Sequence, residues 1–479
     1  MRQTENPLEL TGKELSDLIT AALERIVPHI DSLAQQPAAA VEGGAELARS
    51  LVEPLPEAGA PLSDVLDLVF EQALPKSFNT AGPGYLAYIP GGGIPHSAVA
   101  DLIADCVNRY VGVWLAAPGL AQLEANVVRW FCQIMGYGSG SRGFLTSGGS
   151  LANFSALVAA RRKHLPDDFL NGTIYASDQV HHSVQKAAML AGFPSENVRI
   201  ITSDDRFSVD CDALARAIEE DRSAGCAPFL IVGSAGTTNT GAVDDLETLA
   251  ALAHRYGMWL HVDAAYGGFF MLTARGREAM SGIERADSIV LDPHKGLFLP
   301  YGTGSLLVRD GATLKQAHSV FADYMPAMQE EEDLVDFCQI SPELSRPFRG
   351  LAVWLPIKLL GIGPFSRNLD EKLDLTLWAT EQLRSVEGVE IVAEPQLSII
   401  AFRLTVPGLD AEGLNRLNHD FLARINQRKR VYLTGTTLSG LFTLRICVLS
   451  FRTHLDRMEE ALADVKEAAR QARTAETAK

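Results

Sequence analysis

The chain of 479 residues has only six cysteines, Cys106, Cys132, Cys211, Cys226, Cys338 and Cys447, with no CxxC pair and no regular spacing. That argues against a disulfide framework or a thiolate zinc site, and the cysteines read as small buried apolar groups. Basic clusters are also missing: 42 Lys and Arg are dispersed among 59 Asp and Glu, for a net charge of −17. Nucleic-acid binders usually carry a basic stripe, so no nucleic-acid partner is expected. No apolar run reaches the ~20 residues a membrane-spanning helix needs. The most apolar stretch, 350–365, is broken by Pro356, Lys358 and several glycines. The start, MRQTENPLEL, has no apolar segment behind a basic end, so no secretory signal and a cytoplasmic location are expected. Neither a Walker A sequence nor HExxH occurs, and no metal is expected. Gly138, Gly140 and Gly143 match GxGxxG literally, but a helical pattern over 123–135 precedes them where a dinucleotide site needs a strand. A turn is the expectation there.

What is present describes a large globular enzyme-sized chain, 47% hydrophobic and 21% charged. Thr11 and Glu14 have capping-box spacing, and Leu15, Leu18, Ile19, Ala22, Leu23, Ile26, Ile30 and Leu33 mark one apolar helix face. Pro28 should kink that helix or end its first part. An amphipathic helix ahead of any strand must bury its stripe elsewhere, which points to a partner subunit and a homodimer. Strand runs are expected at 173–177, 198–202, 229–233, 258–263, 288–291 and 305–308, with helical patterns such as 212–221 and 245–256 between them. Strands alternating with helices imply a mainly parallel sheet covered on both faces. After about residue 365 a long helix (Leu369, Leu373, Leu377, Leu383) leads to strands near 390–392, 398–404, 431–433 and 442–448, and a charged helix from Thr453 closes the chain. The expected organisation is a helical arm over 1–80, a large α/β domain over 81–360 and a small α+β domain over 361–479.

Three segments carry chemistry. Thr146-Ser-Gly-Gly-Ser150 runs directly into an alanine-rich helical stretch, where small residues let backbone N–H groups approach an anion. His261-Val-Asp-Ala-Ala-Tyr-Gly-Gly268 and Asp292-Pro-His-Lys-Gly296 each stand at the carboxyl end of an expected strand, the edge where parallel sheets bind ligands. A lysine straight after an apolar strand and a proline is poorly explained as a solvated charge. Pyridoxal phosphate needs such a lysine for a Schiff base, a carboxylate to keep its ring nitrogen protonated, an anion site and a flat neighbour. His181, in Ser-Asp-Gln-Val-His-His-Ser (177–183), is placed to stack. His182 and His261 read as structural. Tyr85 and Tyr88 line a substrate pocket or pack a strand, and Arg349 meets an anion or forms a salt bridge.

Taken together, SDQVHHS, HVDAAYGG and the HK pair of DPHKG resemble the group II pyridoxal-phosphate-dependent decarboxylases, the family of aromatic-amino-acid, histidine and glutamate decarboxylases, from about Pro83 to Gly361. The resemblance implies the pyridoxal-phosphate transferase fold of type I, with a seven-stranded mainly parallel sheet and a small C-terminal α+β domain. It implies Lys295 as the Schiff-base lysine, Asp263 as the ring-nitrogen partner and His181 as the stacking residue. Gly149 and Ser150 would hold the phosphate with Asp292 and His294 close by, and Thr238 and Ala265 would border the ring. Tyr324 falls where the family carries a mobile-loop tyrosine that protonates Cα, commonly at the neighbouring subunit's site. The expected reaction is decarboxylation of an aromatic or bulky L-amino acid to the amine. The alternative is oxidative decarboxylation to an aldehyde, a route that loss of the loop tyrosine opens. Two features depart from the family pattern: Gly296 stands where many relatives carry a large aromatic, and Gly91-Gly92-Gly93 occupies the expected substrate wall.

Overall fold

A computed structural model describes residues 8–320, 323, 325–329, 331 and 333–477. Seven strands make the large sheet: β1 Arg142–Thr146, β2 Gly172–Ser177, β3 Val198–Ile201, β4 Ala227–Ser234, β5 Trp259–Asp263, β6 Ser288–Leu291 and β7 Gly304–Val308, in the order β1-β7-β6-β5-β4-β2-β3. The strands from β3 to β6 pair in parallel, and β7 runs antiparallel to both β6 and β1. Side chains alternate between two cores, as a period-two backbone requires. Ile231, Ile289 and Leu291 enter one core, and Leu230, Val232 and Val290 the other. Both faces are buried, so these strands read as continuous apolar runs.

The long helix Gly149–His164 crosses from β1 to β2, and Ser183–Leu190, Cys211–Ser223 and Leu246–Tyr256 make the next three crossovers. The Gly138 to Gly140 segment is a turn into β1, a strand absent from the expected runs.

Beyond Gly361, helices Gly363–Arg384, Ala411–Asn426 and Leu455–Thr477 pack on a four-stranded antiparallel sheet. Its strands are β8 Val389–Ala393, β9 Ile399–Leu404, β10 Thr434–Leu438 and β11 Leu441–Cys447, in the order β10-β11-β9-β8. The expected strand at 431–433 is displaced. Val431 and Leu433 are buried core residues, and their apolar character reports packing rather than sheet pairing. The hairpin turn at Ser439 and Gly440, both at positive φ, sets the register and makes polar Thr-Gly-Thr-Thr the edge strand.

At the other end, helix Gly12–Ser32 starts on the expected capping box, with Glu14 N–H donating to Thr11 Oγ1 and Thr11 N–H to a Glu14 carboxylate oxygen. Of the two effects expected of Pro28, a kink or an end, the helix does not end there. Pro28 and Glu24, the residue whose carbonyl it deprives of a donor, are both exposed, so that carbonyl is not enclosed in an apolar core. No described residue of this helix is buried. Among the described residues, no helix is long and apolar enough to cross a membrane.

Candidate active site

Asp263 ends β5 and pairs in register with Val290 of β6, whose last residue is followed by Asp292. Both carboxylates therefore stand at the carboxyl edge of the sheet. After Asp292 the chain makes a single helical turn, Pro293–Gly296, which brings Lys295 back over that edge. Lys295 Nζ lies 2.8 Å from Asp292 Oδ2, while Asp292 Oδ1 is buried with no hydrogen-bond partner. His294 Nδ1–H donates to the Thr303 carbonyl at 2.6 Å, and burial depresses the pKa of this imidazole.

Opposite them begins helix Gly149–His164, which has no side-chain cap and so leaves its first backbone N–H groups to an incoming anion. Gly149 is close to its neighbours: an added Cβ would stand 3.1 Å from Asp292 Oδ2 and 3.4 Å from the Ala265 methyl. Asp263 is held from two sides. Its Oδ1 accepts from the Ala265 N–H at 3.1 Å and its Oδ2 from Asn153 Nδ2 at 2.9 Å. His181 lies beside it, its pKa lowered chiefly by burial and raised in part by the Asp263 charge.

These groups line one cavity of about 300 Å³. All nine residues expected to bind a cofactor (Gly149, Ser150, His181, Thr238, Asp263, Ala265, Asp292, His294 and Lys295) are in its wall. Tyr85 and Tyr88 are not. Tyr85 is buried, its ring 6.0 Å from that of Tyr432 and 6.5 Å from Tyr88, which is exposed with φ at 51°. Their segment nonetheless abuts the site, because Gly91 packs on the backbone of His294 and Lys295. Arg349 forms a two-pronged pair with Glu343, at 2.8 and 2.9 Å. Tyr324 lies outside the described residues.

Two contributors escaped sequence reasoning. Asn153 sits mid-helix, where no local signal separates it from a solvated asparagine. Arg445, from β11, reaches across from the smaller sheet to the Thr238 and Asn239 carbonyls.

The family model for the pyridoxal-dependent decarboxylase conserved domain matches residues 49–405. The chain belongs to this decarboxylase family. An aromatic-L-amino-acid decarboxylase of Bacillus atrophaeus is 32% identical over 461 residues, 96% of each chain. Among solved structures, Oryza sativa TDC with PLP and tryptamine aligns with a TM-score of 0.92 at 25% identity, covering 98% of this chain and 99% of that one. The 4-hydroxyphenylacetaldehyde synthase of Rhodiola rosea aligns with a TM-score of 0.89 at 25% identity, covering 97% and 99%. Like its family, the protein is an amino-acid decarboxylase that uses pyridoxal phosphate. The site suits that group: one amine, one carboxylate held by donors, an uncapped helix start and an orphaned buried oxygen on Asp292 surround a cavity wide enough for a substituted pyridine ring.

Proposed function

We propose that this decarboxylase acts on an aromatic L-amino acid, releases the amine and works as a cytoplasmic homodimer. The observation that carries the reading is the meeting of the Lys295 amine, the Asp263 carboxylate and the helix start at Gly149 in one cavity. Bound pyridoxal phosphate supplies the electron sink for the pair left when the Cα–carboxylate bond breaks. Lys295 would tether the cofactor through its amine, and Asp292, 2.8 Å from that amine, would hold it in place. Asp263, its two oxygens held by the Ala265 and Asn153 N–H donors, would pair with the ring nitrogen. Gly149 and Ser150 would present backbone N–H groups to the phosphate, with His294 close by, and Thr238, Ala265 and neutral His181 would hold the ring. Tyr324 would deliver the proton to Cα.

An aromatic substrate is supported by the Bacillus relative and by the rings of Phe78, Tyr85, Tyr88 and Tyr432 gathered beside the Gly91 segment. Tyr85 and Tyr88 are proposed as its contacts. The dimer is supported by an apolar arm helix with no buried described residue, and the cytoplasmic location by six unpaired cysteines.

Purified enzyme is expected to show a visible cofactor band that Lys295→Ala abolishes, with turnover falling by about a thousandfold or more. A band unchanged by that substitution overturns the reading. Likeness to an aldehyde synthase favours one rival, oxidative decarboxylation. Assaying amine against aldehyde plus peroxide from phenylalanine, tyrosine, tryptophan and dihydroxyphenylalanine separates the two outcomes. Amine as the product supports the proposal, and aldehyde with peroxide overturns it.

A further inference from the structure

Behind Asp263 runs a chain of buried hydrogen bonds with Asn153 at its branch point. Asn153 Nδ2 lies 2.9 Å from Asp263 Oδ2 and 2.8 Å from Ser183 Oγ, and its Oδ1 lies 2.8 Å from His261 Nε2. His261 Nδ1 is 2.7 Å from Ser288 Oγ, which accepts from Trp259 Nε1 at 2.8 Å. On the second branch, Ser183 Oγ is 2.7 Å from His181 Nδ1, and the Ser183 backbone N–H reaches that nitrogen at 3.3 Å. Asn153, Ser183, Trp259, His261 and Ser288 are each no more than 3% exposed.

The proton positions follow from which groups can only donate or only accept. The Asp263 carboxylate only accepts, so Asn153 must turn its NH₂ toward it and its carbonyl oxygen toward His261. That oxygen also only accepts, so His261 carries a proton on Nε2. Burial keeps the His261 ring neutral, with its pKa down to about 4. Nδ1 is therefore bare and takes the Ser288 hydroxyl proton, leaving the Ser288 oxygen to accept from the indole N–H, which has no other role. On the second branch Ser183 Oγ accepts the other Asn153 amide proton and gives its own to His181 Nδ1. The backbone N–H of Ser183 can only donate, and it points at the same nitrogen. His181, neutral through burial, is left with its proton on Nε2.

We propose that Asn153 is a positioning residue through which the charge on Asp263 dictates this proton order and holds His181 as its Nε2–H tautomer, a fixed N–H donor for the cavity that His181 lines. Neither histidine can exchange tautomers without breaking the contact to Asp263 or to the Ser183 amide.

Histidine-selective 15N labelling with long-range 15N–1H correlation reads the tautomer directly, His181 being assigned by the signal lost in His181→Gln. The expected result near neutral pH is Nε2–H on His181. Ser183→Ala should convert it to a tautomer mixture, because the remaining 3.3 Å contact is too long to hold it alone, and Asn153→Leu should do the same by freeing the Ser183 hydroxyl oxygen to accept from His181 Nδ1. Asn153→Leu should also weaken pyridoxal phosphate binding about tenfold, since Asp263 loses a hydrogen bond to its charge. Nδ1–H on His181 in the parent, or unchanged His181 signals in the variants, overturns the proposal. If Asn153→Leu fails to fold, Ser183→Ala decides alone, removing one oxygen atom. The tautomer is read on the protein alone, whereas the affinity change rests on the cofactor assignment. A parent with Nε2–H that binds no pyridoxal phosphate would overturn that assignment and leave the proton order standing.

Discussion

A Cβ added at Gly91 would sit 2.0 Å from the His294 carbonyl oxygen and 3.2 Å from that of Lys295. Both neighbours are backbone, so neither can swing aside, and Gly91→Ala must displace the turn Pro293–Gly296 that aims Lys295. Overpacking of this kind costs ~1–3 kcal/mol. The expected outcome is a urea midpoint lowered accordingly and turnover reduced by about tenfold or more, because a small misplacement at the amine proposed to react would be felt in the rate. An alanine variant with parental turnover would show that the turn moves freely. Gly296 has a related explanation. An added Cβ there meets the Phe269 side chain at 2.7 Å, so aromatic bulk beside the lysine comes from a different element of this chain. Lys295, Asp263 and His181 were legible in the sequence because a charge or imidazole at the end of an apolar strand has few bland explanations. Asn153 was not, because its meaning depends on what its helix packs against. Tyr85 and Tyr88 were ambiguous for a similar reason: an aromatic beside a glycine run looks the same whether it faces a ligand or another ring.

Between elements, the decisive contact comes from β11. Arg445 Nε donates to the Asn239 carbonyl at 2.9 Å and Nη2 to that of Thr238, so the smaller sheet clamps a turn that borders the cavity. Arg445→Met keeps most of the stem and strands both carbonyls. Hydrogen bonds to a charged group contribute ~1.5–3 kcal/mol each, so a loss of ~3–6 kcal/mol in stability is expected. Cofactor titration should weaken in parallel. An unchanged titration would separate this clamp from the site. The same scale shows where pattern reading works. Runs at 229–233, 258–263 and 288–291 fall on β4, β5 and β6 because those strands are buried on both faces and stay apolar throughout. β1 was invisible because Arg-Gly-Phe-Leu-Thr, behind several glycines, reads as turn until β7 pairs with it. β10 was misplaced because an edge strand has one ladder only, and its polar Thr-Gly-Thr-Thr lacks the apolar alternation that marks a core strand. Arg445 itself lay outside any motif, since its role exists only once two sheets meet.

For the molecule as a whole, two properties lie beyond any single element. The first is pH dependence. Burial brings His261 and His318 down to about 4 from 6.5, so both are neutral in the fold while the unfolded chain takes up protons below 6.5. Their contribution to stability is therefore lost as pH falls from 6.5 toward 4. Asp244, raised by burial to about 6, opposes one of them below that pH. His318 Nε2 is buried without a partner and the ring packs edge-on against Phe144. His318→Phe keeps that contact and removes the proton, so the variant should gain on the parent by on the order of 2 kcal/mol at pH 4.5 and by much less above pH 7, read from urea midpoints. A margin that does not vary with pH would contradict it. The second property is surface. A compact monomer of 51.8 kDa exposes roughly 17,000 Å², whereas this chain exposes 22640 Å². Obligate homodimers cover roughly 1,000–2,500 Å² or more on each partner, so a second copy would account for part of the excess. It coincides with apolar residues left in the open, Leu18, Ile26 and Ile30 on the arm helix and Leu102, Ile103 and Val107 on helix Pro95–Val107. Each such side chain gains ~1.5–3 kcal/mol when covered. Leu18→Glu with Ile26→Glu should therefore convert a dimer to monomer by light scattering at micromolar concentration. The monomer's own core should survive, because neither side chain is buried within the chain. Turnover should fall with the dimer if the neighbouring subunit's loop completes the site. A doubly substituted protein that keeps the parental mass, or a parent that is itself monomeric, would remove the arm from any interface and leave the excess surface to be explained by something other than a second copy.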